Sequence, residues 1–118
     1  MNNKQLLYKY AMFTWLGGIW FISSLPAQRL PQIDVLNFDK LAHVIVYLIL
    51  GILIYKNFKL GLFGSLNKYE LLNIAIILAA LDEAHQVIIV NRTVSVFDLS
   101  ANIAGLVIAY FIMSRKAG

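Results

Sequence analysis

Four apolar runs, each about as long as a bilayer is thick, limit what this chain can fold into. A helix that crosses the hydrocarbon core needs ~20 mostly apolar residues. The runs cover about residues 6–25, 38–56, 69–90 and 96–113, and no remaining stretch is long enough for a fifth. The first ends at Ser23-Ser24-Leu25-Pro26, where proline and its effect on the preceding residue stop a helix. The expected fold class is therefore all-α: a polytopic membrane protein, a bundle of four transmembrane helices, in a single domain over residues 1–118.

Composition agrees. The chain is 60% hydrophobic and 14% charged, whereas soluble domains carry about 25% charged residues. It has no cysteine, which removes disulfides, thiolate metal sites and cysteine nucleophiles. The net charge of +4 does not point to nucleic acid, because the basic residues are dispersed and gather at the ends of the apolar runs. Lys4 and Lys9 followed by an apolar run imitate a signal peptide. The run is longer than a signal core, and Leu25 and Ala27 fit an Ala-x-Ala cleavage site poorly, so a retained helix is expected.

Basic residues set the orientation. Lys4, Lys9, Lys56, Lys59, Lys68, Arg115 and Lys116 fall on one side of a four-helix topology; Arg29, Lys40 and Arg92 fall on the other. The positive-inside rule places both termini and the middle connection in the cytoplasm. Residues 27–37 and 91–95 then face outward.

Against this background the carboxylates stand out. Asp39, Asp82, Glu83 and Asp98 lie inside the apolar segments. Ionisable groups there cost ~2.5–3.5 kcal/mol each on insertion scales and mark functional sites by default. The topology brings them to one depth. Asp39, Lys40 and His43 open the second helix, Asp82, Glu83 and Gln86 close the third, and Asp98 and Asn102 open the fourth, with Arg92 and Ser95 just before it.

Helix phase groups them further. Asp39, His43 and Tyr47 drift only ~40° per step and form one stripe. Asp82, Glu83 and Gln86 fall within an arc of about 100°. Ser95, Asp98, Asn102, Gly105 and Ala109 fall within about 80°. Ala101, Gly105 and Ala109 place small residues at four-residue spacing, which lets helices approach closely.

Four acids against Lys40 and Arg92 leave an excess of negative charge. Either a carboxyl is protonated, as burial favours, or a cation sits there. Desolvated carboxylates beside a histidine also suit proton transfer. Glu83, His43, Asp98 and Asp82 are thus the acid/base candidates. Arg92, whose guanidinium fork matches phosphate or carboxylate, is with Lys40 the candidate anion clamp. Asp39, Tyr47, Gln86, Ser95 and Asn102 complete the binding set. Each has a structural alternative, as an interfacial helix start or as polar pairing between helices. His85 lies on another edge of its helix and reads as interfacial. Ser24 and Ser95 lack the sequence context of a nucleophile. His43 and the carboxylates carry no zinc-type motif, and no metal site is assigned.

The ordered polar residues resemble the VanZ-like membrane proteins. Asp39-Lys40, His43 and Tyr47, with Gly51 one turn on, match the first part of that pattern. Asp82-Glu83 and Gln86 match the second; Arg92, Ser95, Asp98, Asn102 and Gly105 match the third. Ser24 and Pro26 match a looser Ser-Pro element. Asn91 and Ala109 stand where the family often has glycine, departures that concern backbone packing. The resemblance implies a multi-pass protein of the bacterial cell membrane, in a family linked to resistance to the glycopeptide teicoplanin. The expected function is recognition of an anionic amphiphile or lipid-linked cell-envelope molecule at an outward polar pocket. Enzymatic processing, non-enzymatic binding or transport, and a purely structural role all stay open. Membrane lipids are the expected partners, nucleic acid is not, and the sequence leaves the cofactor unknown.

Overall fold

The structure, a computed structural model, describes residues 2–24, 38–88 and 96–117, and for residues 38–40, 87 and 117 the backbone alone. The described chain is helical: α1 (Asn3–Ser23), α2 (Phe38–Lys59), α3 (Lys68–His85) and α4 (Val96–Ala117). Two helix starts are written in the sequence. Asn2 accepts from the Gln5 N–H while the Gln5 side chain accepts from the Asn2 N–H, and Asn67 and Glu70 repeat the device at α3. Each box satisfies donors that have no partner within the helix. Between α2 and α3 the chain turns through Gly61 (φ +86°) and Gly64 (φ +62°), left-handed positions that suit glycine.

The third helix is shorter than its apolar pattern. Its α-helical course stops at His85, where the Gln86 N–H reaches back three residues to the Glu83 carbonyl. A 3-10 turn, Gln86–Ile88, follows. Tightening of this kind is common at helix ends, where the last carbonyls lack partners.

Two segments, Leu41–Lys59 and Val96–Lys116, are long and apolar enough to cross a membrane. The long dimension of 42 Å is close to the ~40–45 Å of a bilayer with its headgroups. Large apolar side chains are exposed on every helix, among them Phe13, Phe21, Ile45, Ile77, Val107 and Phe111. The buried set meanwhile includes Asn57, Asp82, Glu83, Gln86 and Asn102. Exposed apolar side chains on every helix point to a membrane protein, since monomeric soluble proteins rarely present large apolar surfaces to water.

Helix α2 lies at the centre, with its most extensive contact on α4 and a lesser one with α1. The α2–α4 seam is closed by two glycines. A Cβ on Gly51 would stand 2.7 Å from the Ala109 Cβ. One on Gly105 would press on the Val44 carbonyl and lie 2.9 Å from the Leu48 nitrogen. The small residues of the fourth helix thus let two backbones meet, with Leu50 and Leu106 fully buried nearby.

Helix α1 is fastened at separate points. The Gln5 Nε2 donates to the Leu60 carbonyl at 2.7 Å, and the Asn57 Nδ2 to the Tyr8 carbonyl at 2.9 Å. Midway, the Trp15 Nε1 donates to the Val46 carbonyl at 2.9 Å.

Candidate functional site

Charge divides the bundle into two ends. Lys4, Lys56, Lys59, Lys68, Arg115 and Lys116 lie where α1 and α3 begin and α2 and α4 finish. Asp82, Glu83 and Asp98 lie at the other end, where α3 finishes and α4 begins. The acidic end holds the polar cluster.

One arm joins α2 to α3. The Tyr47 hydroxyl donates to Asp82 Oδ2 at 2.7 Å, and both residues are buried. The other carboxylate oxygen, Oδ1, has no hydrogen-bond partner and lies 3.7 Å from the His85 Nδ1. Glu83 and Gln86 are buried beside Asp82 on the same helix. An acceptor on a buried carboxylate is costly to leave unmet, so the Asp82 oxygen is a place for a donor, a proton or a bound group.

The second arm joins α2 to α4. His43 Nδ1 is 2.8 Å from Asn102 Oδ1, and its Nε2 is 3.9 Å from Asp98 Oδ2. Asn102 Oδ1 accepts from the imidazole when Nδ1 carries the proton, and Nε2 lies on the Asp98 side of the ring. His43 thus stands between Asn102 and Asp98 and ties α2 to α4. His43 and Tyr47 stand one turn apart on α2 and bring the two arms together.

A third set of contacts ties in α1. The His85 ring stacks on Trp20, with centroids 4.9 Å apart and planes 18° from parallel. Its Nε2 lies 3.0 Å from Ser24 Oγ, and its Nδ1 lies 2.9 Å from the Asp82 carbonyl oxygen. The Ser24 hydroxyl is also 2.8 Å from the Trp20 carbonyl, to which it donates. His85 is therefore part of the cluster and the joint between α1 and α3, not an isolated interfacial residue. Helix phase could not supply this, because the partners sit on another element. A serine and a tryptophan at the last turn of α1 were the available signal.

The cluster opens into a cleft of about 700 Å³, within the usual range of small-molecule sites. Its polar end is formed by His43, Tyr47, Asp82, Gln86 and Ser23. Its walls are apolar and run down α1 through Ile22, Ile19, Gly18, Trp15, Ala11 and Leu7, opposite Ala42, Val46 and Leu53 of α2. Leu7, Ala11, Thr14 and Gly18 recur at three- and four-residue spacing and so share a face. The short side chains in that set leave the hollow.

The remaining sequence candidates lie apart from this description. Arg92 and Ser95 fall outside the described residues. Asp39 and Lys40 lie in the first turn of α2, where the backbone alone is described. Among the described residues no group of three or more His, Asp or Glu could hold a metal ion.

Comparison with known proteins gives one result. A family model described as VanZ/LLP1 matches residues 2–116, nearly the whole chain. No curated protein and no solved structure matches it.

Proposed function

This chain belongs to the VanZ/LLP1 family, and from that premise we propose that it is a four-span protein of the bacterial cell membrane that recognises an amphiphile at an outward-facing polar pocket. Both termini and the basic end lie on the cytoplasmic side in this reading, in keeping with the positive-inside rule. The acidic end then opens at the outer leaflet. The ligand class is an anionic or lipid-linked cell-envelope molecule, with Arg92 and Lys40 holding its anion. The family's link to teicoplanin resistance would then act through such an envelope molecule.

The observation that carries the reading is the junction of two environments in one cleft. A buried set of hydrogen-bonding groups, Tyr47 with Asp82 and His43 with Asn102, stands at the head of a long apolar channel. A molecule that fills both must be polar at one end and apolar along the rest. Where there is chemistry, His43 and Asp98 form the proton-transfer pair, with Asp82 and Glu83 as the neighbouring acids.

The test is binding of a prenyl monophosphate to the full chain in neutral-lipid nanodiscs, compared with Arg92→Ala and Glu83→Gln. The reading predicts saturable binding that weakens at least tenfold in Arg92→Ala while the thermal midpoint holds. Turnover abolished in Glu83→Gln, with folding kept, would select the enzyme form. A second reading has its own support: both principal hydrogen bonds join two helices, as structural pairing would. It predicts a lower thermal midpoint in the variants and no ligand effect in any of them.

A further inference from the structure

We infer that the cleft beside α1 seats a single extended hydrocarbon chain, and that Asp82 receives a hydrogen-bond donor, a hydroxyl or an ammonium, from that chain's head. The inference rests on the amphiphile reading above and goes further in naming where the chain lies and what the head must offer.

Length comes first. The cleft runs along α1 from Leu7 to Ser23, sixteen residues apart and so about 24 Å at 1.5 Å per residue. That is most of the ~30 Å thickness of a hydrocarbon core. A hollow this long in only about 700 Å³ is a channel rather than a chamber, and suits one extended chain better than a ring system. Its floor is made by absence. A Cβ built on Gly18 meets nothing within 4 Å, and Ala11 and Thr14 continue the shallow face. Fastenings at Gln5, Asn57 and Trp15 on one stretch, and at His85 on the other, hold α1 off its neighbours without closing the gap.

The head comes second. Asp82 lines the polar end of the channel and is 3% exposed. The Tyr47 hydroxyl holds one of its oxygens, and the other has no hydrogen-bond partner. An acceptor in that position rewards a donor and penalises an ether or a second carboxylate. A lipid that carries a phosphate for Arg92 can carry hydroxyls for Asp82 as well, so the two requirements coexist in one head.

The chain contains its own reporters. It has two tryptophans; Trp15 lines the channel and Trp20 stacks on His85 at its polar end. Dodecanol brominated at mid-chain, its methyl ether and the matching dodecylamine are titrated into the full chain in nanodiscs, and tryptophan quenching is read with unbrominated chain as competitor. The alcohol or the amine should quench saturably and competitively, and the ether at least tenfold more weakly. Whichever of the two donors binds tighter identifies the head. Gly18→Leu, which fills empty space on an exposed helix face, should weaken the alcohol and the amine at least tenfold and leave the circular dichroism unchanged. Asp82→Asn, which keeps an acceptor for Tyr47 and puts an amide N–H₂ where the unmet oxygen stands, should erase the preference for donor over ether.

Equal binding of alcohol and ether overturns the role of Asp82. Quenching untouched by Gly18→Leu overturns the placement of the chain. If no brominated chain quenches saturably while the prenyl phosphate still binds, this inference fails and the amphiphile reading survives. If neither binds, both fall.

Discussion

Helix α2 presents two faces that use glycine in opposite ways. Toward α4, Gly51 and Gly105 leave no room: added methyl groups would meet the Ala109 Cβ and the Val44 carbonyl. Toward α1, the glycines belong to the neighbour, and methyl groups on Gly17 or Gly18 would meet nothing within 4 Å. The first face gains dispersion contact along a close seam, one source of helix association where no hydrophobic force acts between helices. The second gives up that contact and keeps a channel. One interface supplies the rigid frame, and the other supplies the site that the frame positions.

The comparison breaks most readily at Gly105. In Gly105→Ala the new methyl meets backbone on α2, which cannot swing aside as a side chain can. Overpacking of this kind costs ~1–3 kcal/mol, and the thermal midpoint in detergent should fall by more than for any other single change named here. An unchanged midpoint would mean that the seam is not the frame.

Tyr47→Phe comes next. It removes the donor to Asp82 Oδ2 and leaves a second buried acceptor unmet, for about 1–3 kcal/mol. The loss should shrink in an Asp82→Leu background, because the two act on one bond. Equal losses in both backgrounds would separate Tyr47 from the cluster.

Trp15→Phe sharpens the other face. It deletes the bond to the Val46 carbonyl at a net cost of about 0.5–1.5 kcal/mol, read as a lower midpoint. The smallest effect belongs to Gly18→Ala. With open space around it, the change removes a helix-interior glycine and should raise stability by up to about 0.5–1 kcal/mol. A clear loss instead would show that the channel is closed in the membrane.

Much of this arrangement was legible in the chain. The four-residue spacing of Ala101, Gly105 and Ala109 marks the face that meets α2. Helix phase put Tyr47 below His43 and kept Asp82 near Glu83 and Gln86. It did not say that Tyr47 would choose Asp82, because periodicity fixes a direction on one helix and not the partner on the next. The same limit hid His85, whose contacts are with Trp20 and Ser24 of α1. The apolar pattern also outran α3, since the sequence after Gln86 stays apolar while the backbone tightens into a 3-10 turn at Gln86–Ile88. The channel was harder still. Leu7, Ala11, Thr14 and Gly18 share one face of α1, and the hollow they line depends on the neighbouring helix, which periodicity on α1 does not place.

The central claim is that this family member holds one amphiphile in the channel beside α1 with its head at the acidic end. Native mass spectrometry of the full chain, released from nanodiscs made with a bacterial polar lipid extract, tests it directly. The account predicts one retained amphiphile per chain, at least tenfold depleted in Gly18→Leu. Equal retention by both chains, or none by either, would contradict it.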